Sequence, residues 1–447
     1  MSRPEPLKPV YEFSSNQDSV SLHQGTMEVG LDNGRLFGTA ELLLRFLPSP
    51  RLVFHTTVQS TPELEFPFPF DVPDNLSVSF NGQKIEGFRG RWKANADTLE
   101  LDWIPRSQPV ALCDMQPKNS VGAIFHLFNF PDFRGGQYQE MAPLRCALLV
   151  LESEDWKISL QELPQGATRE AWERIKSGDG SFLTHVVKVE RQDGEPFSGE
   201  DAQEQCFLLG NFLSFVNGGR CWPVCGVGLD ASGEATWKSF ASPRSVRPPY
   251  SWFNSFKASQ AELLFPLFAK RWQQSEEWKD CLRSAIYWYL QANTSGGSPG
   301  IDAAIILAQA ALERLAHHYL VVHRKMISGR GFDDLRASDR LRMLFSVCGI
   351  PNDITDITPD IYRTNETFNQ NVKWLDAPHA LTDIRNSLVH PVSKKKVNDC
   401  YVDAWKLSLW YLELSILALC GYDGTYVSRL TAKYVTDSSS VPWGKKA

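Results

Sequence analysis

The sequence predicts an α+β multidomain protein, in which a β-rich N-terminal domain is followed by an all-α helical bundle. The chain has 447 residues, more than one ordinary core organises, so two or three domains are expected. Up to about Lys238 it consists of short apolar runs set off by turn dipeptides, as in antiparallel strands and hairpins. Beyond about residue 250 the apolar residues recur three and four apart, the period of amphipathic helices.

The first part carries "GRLFGTAELLLRF", "PRLVFHTTV", "NLSVSFNGQKIEGF", "DTLELDWI", "GAIFHLFNF", "CALLVLES", "DWKISLQEL" and "THVVKVERQDG". Each run is the length of a strand, and Asn81-Gly82 suits a tight hairpin turn. The exception is "GEDAQEQCFLLGNFLSFVNGG", where Phe207, Leu208, Phe212, Leu213 and Phe215 fit a short helix that ends at Gly218 and Gly219. The proline- and arginine-rich "ASPRSVRPPY" reads as a connector. Helices then follow over "QAELLFPLFAKRWQQ", "SEEWKDCLRSAIYWYLQAN" with Ser275 at its start, and "GIDAAIILAQAALERLAHHYLVVHRKM". "FDDLRASDRLRMLFSVCGI", "APHALTDIRNSLVH" and "VNDCYVDAWKLSLWYLELSILALCGY" complete a bundle of about five or six helices. The boundaries read as 1–240 for the β-rich domain, 241–256 for a linker, 257–430 for the bundle and 431–447 for a tail.

Composition narrows the function. A hydrophobic content of 43% and a charged content of 22% are globular values. A net charge of -6 argues against a generally basic surface, so any nucleic-acid site is local. The nine cysteines lack the regular spacing of a disulfide framework, and Cys221 and Cys225 have no second pair or nearby histidine to make a zinc site. The N-terminus shows no basic-then-apolar signal, and "LSLWYLELSILALCGY" is short for a membrane span and contains Glu413. A cytoplasmic protein without membrane contact is expected. No P-loop, G-x-S-x-G elbow or dinucleotide glycine fingerprint is present, and no cofactor or metal is expected. His317, His318 and His323 do not have the spacing of a zinc-binding helix, and His126 and His185 read as satisfied core residues.

The stretch "LTDIRNSLVHPVSKKK" concentrates the candidate chemistry. Arg385 and His390 are five apart and so about 140° apart on a regular helix, whereas Asn386 and His390 share a face. Pro391 disfavours helical geometry at His390, which places the imidazole at or just past the helix end. Cleaving RNA without a metal requires a group that titrates near neutrality to move the proton of the 2'-hydroxyl or leaving oxygen. It also requires a fixed cation for the charge on the phosphate, as a guanidinium supplies. Lys394, Lys395 and Lys396 add a local basic flank that could contact RNA. On the residues alone the plainer reading is a surface helix end, with His390 capping carbonyls and Arg385 paired to Asp383 or another acid.

The arginine and histidine on a late helix of an all-α bundle resemble the R-x4-6-H signature of the HEPN superfamily. "GIDAAIILAQAALERLAHHY", with Glu313, and "LRASDRLRMLFSVCGI" resemble the Apea-like HEPN group. The β-rich first part is similar to regions that precede such domains in bacterial phage-defence proteins of the ApeA type. The resemblance implies a metal-independent endoribonuclease that acts on tRNA or mRNA as a homodimer through its bundle. Two copies of the motif would form one cleft, and the N-terminal domain would sense an unknown trigger or restrain activity. It implies Arg385 and His390 as the catalytic pair, Asn386 as their polar companion and Glu313 as a supporting acid; the plainer alternative for Glu313 is a structural acid held by Arg385 within the bundle. Antiviral defence by abortive infection is the setting it suggests. The alternative is a non-catalytic RNA- or nucleotide-binding or dimerisation bundle carrying a ligand-binding β domain.

Overall fold

A computed structural model describes residues 6–13, 18–31, 34–59, 76–95, 98–131, 133–134, 137–141, 144–164, 168–177, 181–244, 250–295, 300–366, 373–390, 397–434 and 436–444. Its α+β architecture has three layers: an outer sheet, a central sheet and a layer of helices.

The outer sheet is built from β1 (Ser19–Leu31), β2 (Gly34–Arg45), β3 (Arg51–Gln59), β4 (Ser77–Phe80), β5 (Gln83–Lys84), β6 (Gly87–Ala94) and β7 (Thr98–Pro105). Their antiparallel order is β5-β4-β1-β2-β3-β7-β6. Asn81 and Gly82 both take positive φ at the hairpin tip, +48° and +80°, as a turn matched to strand twist requires. The central sheet contains β8 (Val110–Ala111), β9 (Gly122–Phe128), β10 (Gln137–Met141), β11 (Leu144–Glu152), β12 (Trp156–Glu162), β13 (Leu183–Arg191), β14 (Val224–Leu229) and β15 (Ala235–Phe240). Its order is β10-β11-β12-β13-β9-β14-β15-β8.

β9 explains why the central strands do not alternate cleanly between apolar and polar residues. Ala123, Phe125 and Leu127 point to the core shared with the helices, while Ile124 and Phe128 point to the core shared with the outer sheet. Both faces are covered, so every residue of β9 is buried. β6, at the edge of the outer sheet, has no fully buried residue.

Two helices lie within the β-rich part, α1 (Arg169–Ser177) and α2 (Gly199–Asn217). α2 is 19 residues long, longer than the short helix expected. Its start is a capping box between Ser198 and Asp201, and it ends where Gly218 takes φ +72°. The helical layer comprises α3 (Ser259–Gln273), α4 (Glu276–Ser295), α5 (Ile301–His317), α6 (Gly329–Asp333), α7 (Ala337–Cys348), α8 (Pro359–Glu366), α9 (Ala377–Val389) and α10 (Tyr401–Cys420). α5 continues into a π-helical turn, His318–His323. Among the described residues no helix is long and apolar enough to cross a membrane.

The core is continuous across the sequence boundary near residue 240. Phe212 and Phe215 of α2 pack against Phe265, Phe268, Trp252 and Tyr289. Residues 245–249 of the expected linker lie outside the described residues, but Trp252 is fully buried and its indole N–H donates to the Phe215 carbonyl at 3.2 Å. The C-terminal segment also folds back. Its strand β17 (Ser439–Ser440) pairs with β16 (Thr425–Tyr426), Val441 is buried, and Trp443 donates to the Tyr422 carbonyl at 2.7 Å. Aromatic area drives both dockings, because Trp and Tyr each bring a large apolar surface to the joint.

Candidate functional site

α9 begins where Asp376 accepts the backbone N–H of His379 at 2.9 Å, with Pro378 in the first turn. Ala377, Ala380, Leu381 and Ile384 form its buried stripe, and α9 packs on α5, α7 and α10. The helix ends at His390, whose N–H donates to the Asn386 carbonyl at 2.9 Å and whose φ and ψ are −111° and 106°. This extended geometry is what a following proline demands. The imidazole is therefore exposed at the helix C-terminus, as expected from the sequence.

Arg385 is half-buried one and a half turns earlier. Among the described residues its hydrogen-bond partner is the Asn386 side-chain oxygen at 3.2 Å, and its Nε is buried without one. It makes no ion pair among those residues. Asp383, the acid expected to neutralise it, accepts instead from the Trp374 indole at 3.0 Å. Glu313 does not meet Arg385 either. It accepts from Gln309 at 3.2 Å and pairs with Arg340 at 3.5 Å, and Arg340 in turn binds the carbonyls of Phe332 and Asp333. Glu313 thus ties α5 to the α6–α7 region, which is a structural placement. The reason is reach: α7 presents Arg340 to α5, and the Arg385 side chain bonds within its own helix.

The Asn386 side chain orients the arginine and, among the described residues, makes no hydrogen bond to the His390 ring. No hydrogen bond joins Arg385 to His390 among the described residues. Lys394, Lys395 and Lys396 lie outside them.

The histidines of the central helix serve packing. His318 and His323 lie in the π turn around Trp278, with ring centroids 4.3 and 5.2 Å away. Burial, and then the neighbouring His323, push His318 down to about 4. His126 is satisfied as expected: Nδ1 donates to the Cys225 carbonyl at 2.9 Å, and Nε2 accepts from the backbone of Val10 at 3.1 Å. His185 departs from expectation. Its Nδ1 meets the Thr184 hydroxyl at 2.9 Å, but Nε2 is buried with no partner among the described residues, because Phe130 and Phe133 close around the ring. Cys221 and Cys225 belong to different cores on opposite sides of the central sheet.

Residues 116–251 match the family model described as the YopA central domain, and residues 275–440 match that of the YopA C-terminal domain. The chain is similar to YopA. One relative is the SPbeta prophage-derived uncharacterized protein YopA of Bacillus subtilis (strain 168), 25% identical over 459 residues. The similarity covers 97% of this chain and 96% of that protein. No solved structure matches. The break between the two YopA matches falls where the sequence changes from strand to helix period, and α9 lies inside the YopA C-terminal match.

The outer sheet brings together one further polar constellation that no sequence motif marks, His55 with Glu41 and Asp102 on three strands. In sequence Glu41 and His55 alternate with apolar residues and share their face with Leu43 and Val53, so they become a site only when strand register places them side by side.

Proposed function

We propose that the protein is a metal-independent endoribonuclease of the HEPN type, with His390 moving the proton and Arg385 stabilising the phosphate. The observation that carries this reading is the pairing state of Arg385. A half-buried guanidinium with no carboxylate partner among the described residues stands one and a half turns from an exposed imidazole at the end of the same helix. An unneutralised arginine suits a phosphate, two of whose oxygens can meet the planar fork of guanidinium donors. An exposed imidazole is the side-chain type that acid/base transfer at neutral pH calls for. The two side chains make no hydrogen bond to each other, which fits a cleft completed by a second copy, as the resemblance implies. Prophage carriage of the similar YopA fits a role in conflict between phage and host, and abortive infection is the setting we infer. The β-rich part would then sense or restrain.

The test is incubation of purified protein with total RNA and with tRNA in EDTA, beside His390→Ala and Arg385→Ala proteins of equal thermal stability and oligomeric state. Cleavage by the wild type alone is expected. Equal cleavage by all three proteins would overturn the assignment. Retained RNA binding without cleavage in any of them would move the bundle to the alternative, a binding or dimerisation module.

A further inference from the structure

A polar pocket opens on the outer sheet, outside both YopA matches and remote in sequence from α9. Its volume is about 360 Å³, and it is lined by Gln24 and Gly25 of β1, Thr39, Ala40 and Glu41 of β2, and His55 and Thr57 of β3. That is the small end of the ~300–1,000 Å³ typical of ligand pockets. Strand register builds it: Gln24 lies opposite Glu41, Glu41 opposite His55, and His55 opposite Asp102 of β7. The alternate residues Leu42 and Phe54 point into the core.

The hydrogen bonds define what this row offers a ligand. Asp102 is buried, which opposes its charge, but the bonds from Arg45 and His55 prevail and hold its carboxyl below the usual range. Both terminal nitrogens of Arg45 bind Asp102, so that charge is already balanced. A carboxylate only accepts, so the 2.7 Å contact between Asp102 and His55 places the proton on Nδ1. In the neutral ring Nε2 then presents a lone pair, and Asp102 fixes the plane in which it points. Glu41 accepts from the Gln24 amide at 2.9 Å and forms no ion pair among the described residues. The lining thus supplies one unbalanced carboxylate, an imidazole whose neutral form offers a lone pair, and two threonines, with no lysine or arginine among its residues.

From this set of acceptors we infer that the pocket binds an organic cation carrying a primary ammonium or guanidinium group. Glu41 is its counter-charge and His55 Nε2 its second acceptor. A donor-rich cation satisfies both groups at once, and charge-assisted bonds of this kind are the strong ones. A phosphate or carboxylate ligand would meet the unbalanced Glu41, and the cavity is far larger than a bare metal ion needs. The source is a free amine or a lysine or arginine side chain of a peptide, which share this chemistry.

The full chain is titrated calorimetrically with putrescine, with agmatine and with a short oligolysine peptide, and with glucose as an uncharged polar control. Saturable binding of an amine in the millimolar range or tighter is expected, and the tighter probe identifies the source as a free amine or a peptide side chain. Glu41→Gln, which keeps the hydrogen bond to Gln24, is expected to weaken binding about tenfold or more. Thr39→Lys places a tethered ammonium at the exposed rim and is expected to block the pocket. Failure of every amine to bind the folded wild type overturns the inference, as does equal binding of glucose. Unchanged amine affinity in a Glu41→Gln protein of wild-type melting temperature overturns it too.

Discussion

Arg429 and Arg385 stand in the same helical layer and are put to opposite uses. Arg429 has 4% of its side chain exposed and grips Glu413, itself fully buried, through two nitrogens. It also reaches the Asn293 side chain at 3.3 Å and the Tyr250 carbonyl at 3.4 Å, while the Tyr289 hydroxyl donates to Glu413 at 2.6 Å. Burial would discharge this guanidinium, but Glu413 more than offsets that and holds it above its ordinary range. The cluster joins α4, α10, the connector and the C-terminal segment. Among the described residues Arg385 has no such acid, and it spends one nitrogen on Asn386. The contrast teaches that charge paired inside the fold belongs to architecture, and charge left unpaired at a helix end is available to a ligand.

The strongest way to break this comparison is to exchange the consequences. Arg429→Ala strands a buried carboxylate, and a loss of about 3–5 kcal/mol in denaturant unfolding is expected. Replacing Glu413 by Leu in the same protein should restore much of it, because the uncompensated charge goes too. Arg385→Ala should change stability by less than about 1 kcal/mol, while RNA cleavage falls about 10²–10³-fold. His390→Ala should reduce cleavage about 10²–10⁴-fold with equally little effect on folding. A large stability loss in Arg385→Ala would make that arginine architectural as well.

Two histidines sharpen the same contrast at smaller scale. His126→Phe leaves the Cys225 carbonyl and the Val10 N–H without their partner, at an expected cost of about 1–3 kcal/mol. His185→Phe removes a buried nitrogen that has no partner among the described residues, so a change within about 1 kcal/mol is expected. Thr184 keeps its bonds to Leu127 and Phe130 there. Burial lowers His126 to about 4 and His185 to about 3. As pH falls from the ordinary 6.5 the unfolded chain takes up protons that the folded chain refuses, so stability declines down to about 3 and levels below it. His185→Phe should flatten that decline, measured as melting temperature against pH.

Local sequence already determined much of this molecule. The period change near residue 250 separates strands from helices, Asn81-Gly82 and Gly218 mark where chains turn, and Pro391 puts His390 at a helix end. Those features need only neighbours within a few residues. β1, β6, β14, β15 and α8 were not legible in the same way: their apolar faces are irregular or very short, and pairing with neighbouring strands or, for α8, packing on α10 defines them. The candidate site divides likewise. The positions of Arg385 and His390 on α9 follow from local pattern, while tertiary structure decided that Glu313 goes to Arg340, that Asp383 meets Trp374, and that Arg385 has no carboxylate partner among the described residues. The row from Gln24 to Asp102 exists only through register across four strands, since it joins residues 78 positions apart at its ends (102 − 24). Backbone geometry acts over a few residues, whereas the choice of a charge's partner depends on which elements pack together, and that is settled only in the folded chain.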